Sequence, residues 1–286
     1  MNLKNKIFSC FHNVDVNKPD YLVFFRVSIA LIALFDILSM KSDFKYFFSK
    51  DKNIIPQELL YIFSEYNGLL NPLYKYLTSN NLLDSFYTYT IIIYFTSLLF
   101  LMIGFCTRIS ALVSIILQLI IFKSIALLNF GFDHFLTMSL FYCLIFPVGN
   151  FNSIDNLIRK NKLEIRINYN KIIRIHLMLV YFFAGLAKII ASSYWNGEAI
   201  WRSVSTIYND MFRLPAIFFI VSGIATIILE TFYPFLINYT KTSKITFYAI
   251  ISMHVFIGFF MELPFFAAIM IVWNITAYYK YIFNEK

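Results

Sequence analysis

Runs of about 20 apolar residues recur along this chain, the length an α-helix needs to cross roughly 30 Å of hydrocarbon. Nothing else in the sequence constrains the fold as strongly. The apolar runs predict an all-α, polytopic membrane protein with about eight transmembrane helices. They fall near 21–40, 85–105, 109–128, 132–148, 172–193, 214–237, 245–262 and 264–283. Of 286 residues, 59% are hydrophobic and only 14% charged, too little charge to cover a soluble domain of this size. No hydrophilic block exceeds a loop, so residues 1–286 read as a single transmembrane domain. The first run holds Arg26 and Asp36 without a small-residue cleavage site, and so reads as a retained span.

The net charge of +8 does not form a nucleic-acid-binding stripe, because the basic residues lie in short loops between spans. Their asymmetry sets orientation instead. With the N-terminus inside, cytoplasmic segments collect Arg108, the cluster Arg159 to Arg174, Lys241, Lys244 and Lys280. The outer segments are longer yet poorer in Lys and Arg, so a cell-membrane protein with both termini cytoplasmic is expected. Cys10, Cys106 and Cys143 have no metal-ligand spacing, and no metal is expected. Two outer segments, 41–84 and 194–213, mix aromatics with charges. They read either as amphipathic or re-entrant helices at the outer interface or as a plain aromatic belt.

The span "LVYFFAGLAKIIASSYW", residues 179–195, carries Lys188 inside its apolar run. A lysine at that depth is costly and marks a candidate site. Its neighbours one turn away, Ala184, Gly185, Ala191 and Ser192, are small and would admit a partner helix or a ligand. The plainer reading is a lysine snorkelling to the headgroups. Asp36, Asp133, His134 and His254 fall at comparable depths, and convergence with Lys188 in one outward-opening cavity is expected. The inner half holds Arg26, Arg174, His176 and Glu230, with Arg26 and Glu230 expected to pair across the first and sixth spans. Lys123 reads as a snorkeller. No phosphate-binding, dinucleotide, metalloprotease or nucleophile-elbow motif occurs at usable spacing.

Several stretches together resemble the HTTM family, the membrane domain shared with the vitamin K-dependent gamma-carboxylase. They are "FFRVSIALIALFDIL" with "FFSKDKNIIPQELL", "GFCTR", "GFDHFLTMSLFYCLIFPVGNFNSID", "YFFAGLAK" followed by Trp195 and Gly197, and "ISMHVFIGFFMELPFFAAIM". They occur in order over nearly the whole chain. The resemblance implies a bacterial membrane enzyme of lyase type that modifies a small secreted peptide using a reduced, vitamin K-like quinone. Lys188 would be the base that deprotonates the quinol, held neutral by its apolar surroundings. His134 and Asp133 would position groups or relay protons. Tyr181, Gly185, Trp195 and His254 would contact the cofactor. No counterpart of the carboxylase's large extracytoplasmic domain is expected after the eighth span, so quinone-linked chemistry is expected rather than gamma-glutamyl carboxylation. The alternative is a non-catalytic membrane partner in peptide-toxin maturation, immunity or export.

Overall fold

The computed structural model describes residues 20–62, 64–125, 129–159, 167–205 and 214–279. Among these the chain is helical with no strand. Six helices are long and apolar enough to cross a membrane. They are α1 (Asp20–Ser39), α5 (Leu83–Ile103), α6 (Thr107–Ser124), α9 (Tyr169–Ile190), α12 (Ala216–Leu236) and α13 (Ser243–Phe260). Two shorter apolar helices, α7 (Gly131–Ile145) and α14 (Pro264–Ala277), occupy the places of the fourth and eighth expected spans. At 1.5 Å per residue, the 15 residues of α7 reach only roughly 22 Å, less than a full hydrocarbon core. The reason lies in sequence: Pro147 disfavours helical geometry at Phe146, which caps α7 in extended conformation.

The helices form two compact units, one within Lys18–Glu164 and the other from Ile165 onward. In the first, α1 packs on α5 and α7, and α6 packs between α5 and α7. Apolar surface gives little driving force for association in lipid, so polar stitches and small residues matter there. The α5–α6 seam has both: Tyr94 donates to Gln118 Oε1 at 2.7 Å, and the Ser97 and Ser114 hydroxyls meet at 2.8 Å.

The 41–84 segment forms α2 (Phe44–Phe48), α3 (Gln57–Ile62) and α4 (Asn67–Ser79). It is helical, as one of its two readings anticipated. Phe48 stacks on Tyr87 at 4.4 Å, and the Tyr87 hydroxyl joins Tyr61 at 2.5 Å and Ser124 at 2.8 Å. Lys123 does not simply snorkel. Its ammonium meets Glu65 at 2.9 Å and lies over the rings of Tyr66 and Phe122.

Arg26 also departs from expectation, since its partners are backbone carbonyls and not Glu230. It is 1% exposed, and its fork donates to Val148 O at 2.6 Å, Phe151 O at 3.2 Å and Asn152 O at 2.7 Å. The loop after α7 is thereby folded onto α1. Gly104 ends α5 with φ +73°, and a side chain there would collide with Ser153 and the Arg26 guanidinium. Asp155, at the start of α8 (Ile154–Arg159), closes the assembly. Its carboxylate accepts the Cys106 N–H at 2.8 Å and the Thr107 N–H and hydroxyl at 2.7 Å, satisfying the open N-terminus of α6.

In the second unit α9 packs along α12 and against α14, and α13 pairs with α14. The α13–α14 hairpin turns through Glu262 at φ 56°, and Pro264 opens α14 at a position that needs no N–H donor. Two short helices, α10 (Ser192–Trp195) and α11 (Glu198–Val204), follow α9 and pack on α12. Residues 206–213 of the 194–213 segment lie outside the described residues.

Candidate functional site

Lys188 lies in the last turn of α9, and its ammonium meets the Glu230 carboxylate of α12 at 2.7 Å. The two side chains are 19% and 8% exposed, so the pair is largely withdrawn from solvent and lipid. Close helix approach makes the contact possible. A Cβ at Gly185 would meet the Thr231 hydroxyl and lie 2.5 Å from the Thr231 backbone nitrogen. The small face around Lys188 therefore admits α12, one of the two occupants that the sequence left open. Lys188 also lies 5.5 Å from the centre of the Tyr194 ring.

Counting from helix ends places Lys188 and Glu230 in opposite halves of the membrane; the structure brings them together. After α9, the α10–α11 segment runs beside the first turns of α12 and does not leave them. Gly223 is required there because a side chain would strike the Tyr194 carbonyl. Gly197, at φ +80°, lies against the backbone of Phe219 and Ile220. Trp195 donates its indole N–H to Ile189 O at 2.8 Å, satisfying a carbonyl at the end of α9.

A second polar set lies one to two turns along α9. The Tyr181 hydroxyl meets His254 Nε2 at 2.7 Å and accepts from Asn274 Nδ2 at 2.7 Å. Tyr233 donates to Asn274 Oδ1 at 3.0 Å. All four side chains are buried and come from four helices, α9, α12, α13 and α14. Asn274 donates to the Tyr181 hydroxyl, and the Tyr181–His254 bond runs in the direction set by whether the ring proton sits on Nδ1 or Nε2. That Nδ1 is buried and has no hydrogen-bond partner among the described residues, nor does the Thr231 hydroxyl. Unsatisfied buried groups of this kind cost about 1–3 kcal/mol each.

Asp36, Asp133 and His134 belong to the first unit. Asp133 accepts the Phe130 N–H at 3.2 Å at the start of α7, and Asp36 lies within electrostatic reach of it. His134 stands edge-on to Phe122 at 5.1 Å. Of the expected set, Lys188, Tyr181, Gly185, Trp195 and His254 are together in the second unit. Glu230, Asn274 and Tyr233 are its members that sequence reasoning missed as site residues. Glu230 could have been found: it is the acid of the neighbouring antiparallel span, and a lysine at depth needs one. Tyr233 and Asn274 carry no such signal, because a neutral tyrosine or asparagine in a span is ordinary.

Among the described residues, one cavity of about 450 Å³ lies near Lys41 and Asp84 and another of about 280 Å³ between Asn196 and Phe219. Neither is lined by Lys188 or His254. No family model, curated protein or solved structure matches this chain. Fold and composition define a helical membrane protein in contact with the lipid bilayer.

Proposed function

We propose that this chain is a membrane-embedded acid–base enzyme of the HTTM kind, acting with a reduced quinone on a small secreted peptide, and that Lys188 and Glu230 form its proton-handling pair. The 2.7 Å contact between the two at membrane depth carries the reading. The donor set suits a quinol: Glu230 can accept the Nζ proton, and the freed amine can then accept one from a quinol hydroxyl. The oxygen keeps the electron pair as its O–H bond breaks. His254 Nδ1 and the Thr231 hydroxyl, both buried and without hydrogen-bond partners among the described residues, are the points where quinone oxygens would be received. Bound there, a reduced quinone would supply the oxygen-driven chemistry that no side chain of this chain can provide. Asp133 and His134 enter this reading as auxiliary groups through the family resemblance alone.

The test is dioxygen uptake by the purified protein in detergent, with a reduced short-chain naphthoquinone as probe. Lys188→Arg and Glu230→Gln should each lower the rate by about 10²-fold or more, the usual weight of a general acid–base group, while the protein stays folded. An arginine cannot yield its proton. Full activity in Lys188→Arg would sink the base role.

A second reading is favoured by the ion pair itself, since Glu230 already gives the Lys188 ammonium a structural partner. Here the pair fastens α9 to α12 in a non-catalytic partner for peptide-toxin maturation, immunity or export. It predicts that Lys188→Arg functions normally and that paired apolar replacement is tolerated.

Both readings take the chain as a bacterial cell-membrane protein with cytoplasmic termini, from its Lys and Arg asymmetry. Single thiols introduced at Asn161 and Asn209 should label from opposite sides, Asn209 from outside. Labelling of Asn161 from outside reverses the orientation.

A further inference from the structure

The cavity of about 450 Å³ in the first unit lies where α1 ends and α5 begins. Consecutive antiparallel spans place those two ends at one membrane face, so the cavity sits at headgroup level. Its floor is apolar, made by Phe44, Phe48 and Ile91, and its rim carries Lys41, Lys45 and Lys52. These ammonium groups are exposed and make no hydrogen bond or ion pair among the described residues; Lys45 only overlies the Tyr46 ring at 4.9 Å.

Two carboxylates also face the cavity, Asp51 and Asp84. Asp84 is already engaged, accepting the Lys50 backbone N–H at 2.9 Å and the Ser49 hydroxyl at 3.4 Å. It fixes the turn after α2, between Lys45 and Lys52. Lys50 itself is turned away to Asn81, at 3.0 Å. The floor is rigid too, because Phe48 is stacked on Tyr87, whose hydroxyl is tied to Tyr61 and Ser124. The result is a preformed concave site of ligand-binding size, cationic at the rim and apolar below.

We infer that this groove binds the phosphate head of an anionic membrane lipid, with the three lysines on the phosphate and the start of an acyl chain against Phe44, Phe48 and Ile91. A lipid phosphodiester lies at the depth of the rim, and its chains lie at the depth of the floor. A water-soluble phosphate would use only half of the site. The inference is independent of the Lys188–Glu230 reading, since it involves neither residue nor their unit.

The test uses the purified full chain in neutral detergent, read by native mass spectrometry with three probes: phosphatidylglycerol, phosphatidylcholine and inorganic phosphate. Phosphatidylglycerol should be retained over phosphatidylcholine by about tenfold or more, since each near-surface lysine contributes roughly fivefold toward anionic lipid. The triple variant Lys41→Gln, Lys45→Gln, Lys52→Gln should reduce that preference to near unity. Its sites are exposed, so folding should be unaffected. The charge-matched variant Lys75→Gln, Lys241→Gln, Lys244→Gln should keep the preference. Phe44→Ser should weaken retention of both lipids and leave their ratio unchanged. Preference retained in the first triple variant, or lost equally in the second, overturns the site in favour of general surface attraction. Displacement of phosphatidylglycerol by inorganic phosphate at equal concentration overturns the lipid as its ligand.

Discussion

Lys188 Nζ and Glu230 Oε2 meet at 2.7 Å, joining α9 to α12 through opposite charges at membrane depth. Alone, the lysine would be a cost that alanine relieves. The carboxylate reverses that expectation, because removing either partner strands the other. Each of Lys188→Ala and Glu230→Leu should destabilise the protein by about 2–4 kcal/mol, and the double variant Lys188→Met, Glu230→Met should recover most of it. Thermal unfolding in detergent would show the coupling. Additive losses in the double variant would mean that the two charges do not depend on each other.

Gly185 sets how closely α9 and α12 approach. A side chain there meets not only the Thr231 hydroxyl, which could swing away, but also the Thr231 backbone nitrogen at 2.5 Å, which cannot. Gly185→Leu should therefore separate the helices and abolish the Lys188–Glu230 contact, with a loss of about 3 kcal/mol or more from overpacking. Thr231→Ala should rescue it only in part. Full rescue would show that the hydroxyl alone sets the distance.

The spans could be read from sequence because hydropathy accumulates over about 20 residues and needs no knowledge of tertiary contacts. The partners of Arg26 could not. They are carbonyls of Val148, Phe151 and Asn152, and every residue has a carbonyl, so nothing in those side chains announces the role. Lys188 is visible in the sequence as an oddity, yet its pairing with Glu230 is not, because Ser192–Val204 continues alongside α12. Only Gly197 and Gly223 hint at that path, and a glycine has many other reasons to occur.

Arg26 and Asp155 should behave as two halves of one fastening. Arg26→Lys keeps the charge but cannot reach three carbonyls with a planar fork, and should cost about 2–4 kcal/mol. Asp155→Ala exposes the first N–H groups of α6 and should cost about 1–2 kcal/mol, as other helix caps do. Asp155→Asn keeps one acceptor and should cost less. These differences can be read as unfolding midpoints at neutral pH. An Arg26→Lys variant as stable as the parent would mean that the α7–α8 loop is held by other contacts.

The last prediction concerns acid. The hydrogen bond and charge of Lys123 hold the Glu65 carboxyl below its ordinary value. A carboxyl depressed in the folded state contributes stability above its unfolded pKa, near 4.3 for a free glutamate. That contribution disappears as pH falls through the lower folded value. Glu65→Gln should therefore be less stable than the parent at pH 7 and equal to it at pH values well below 4.3. Glu65 is exposed, so the difference at pH 7 should be small and should shrink in high salt. The Lys123 side chain is 11% exposed against 80% for Glu65, so the lysine has the greater need of its partner. Lys123→Met should accordingly be tolerated, whereas Glu65→Lys should be the more damaging exchange, placing two ammonium groups together beside Tyr66 and Phe122. A parent and a Glu65→Gln variant whose midpoints stay parallel from pH 7 into the acid range would show that the pair does not form in solution.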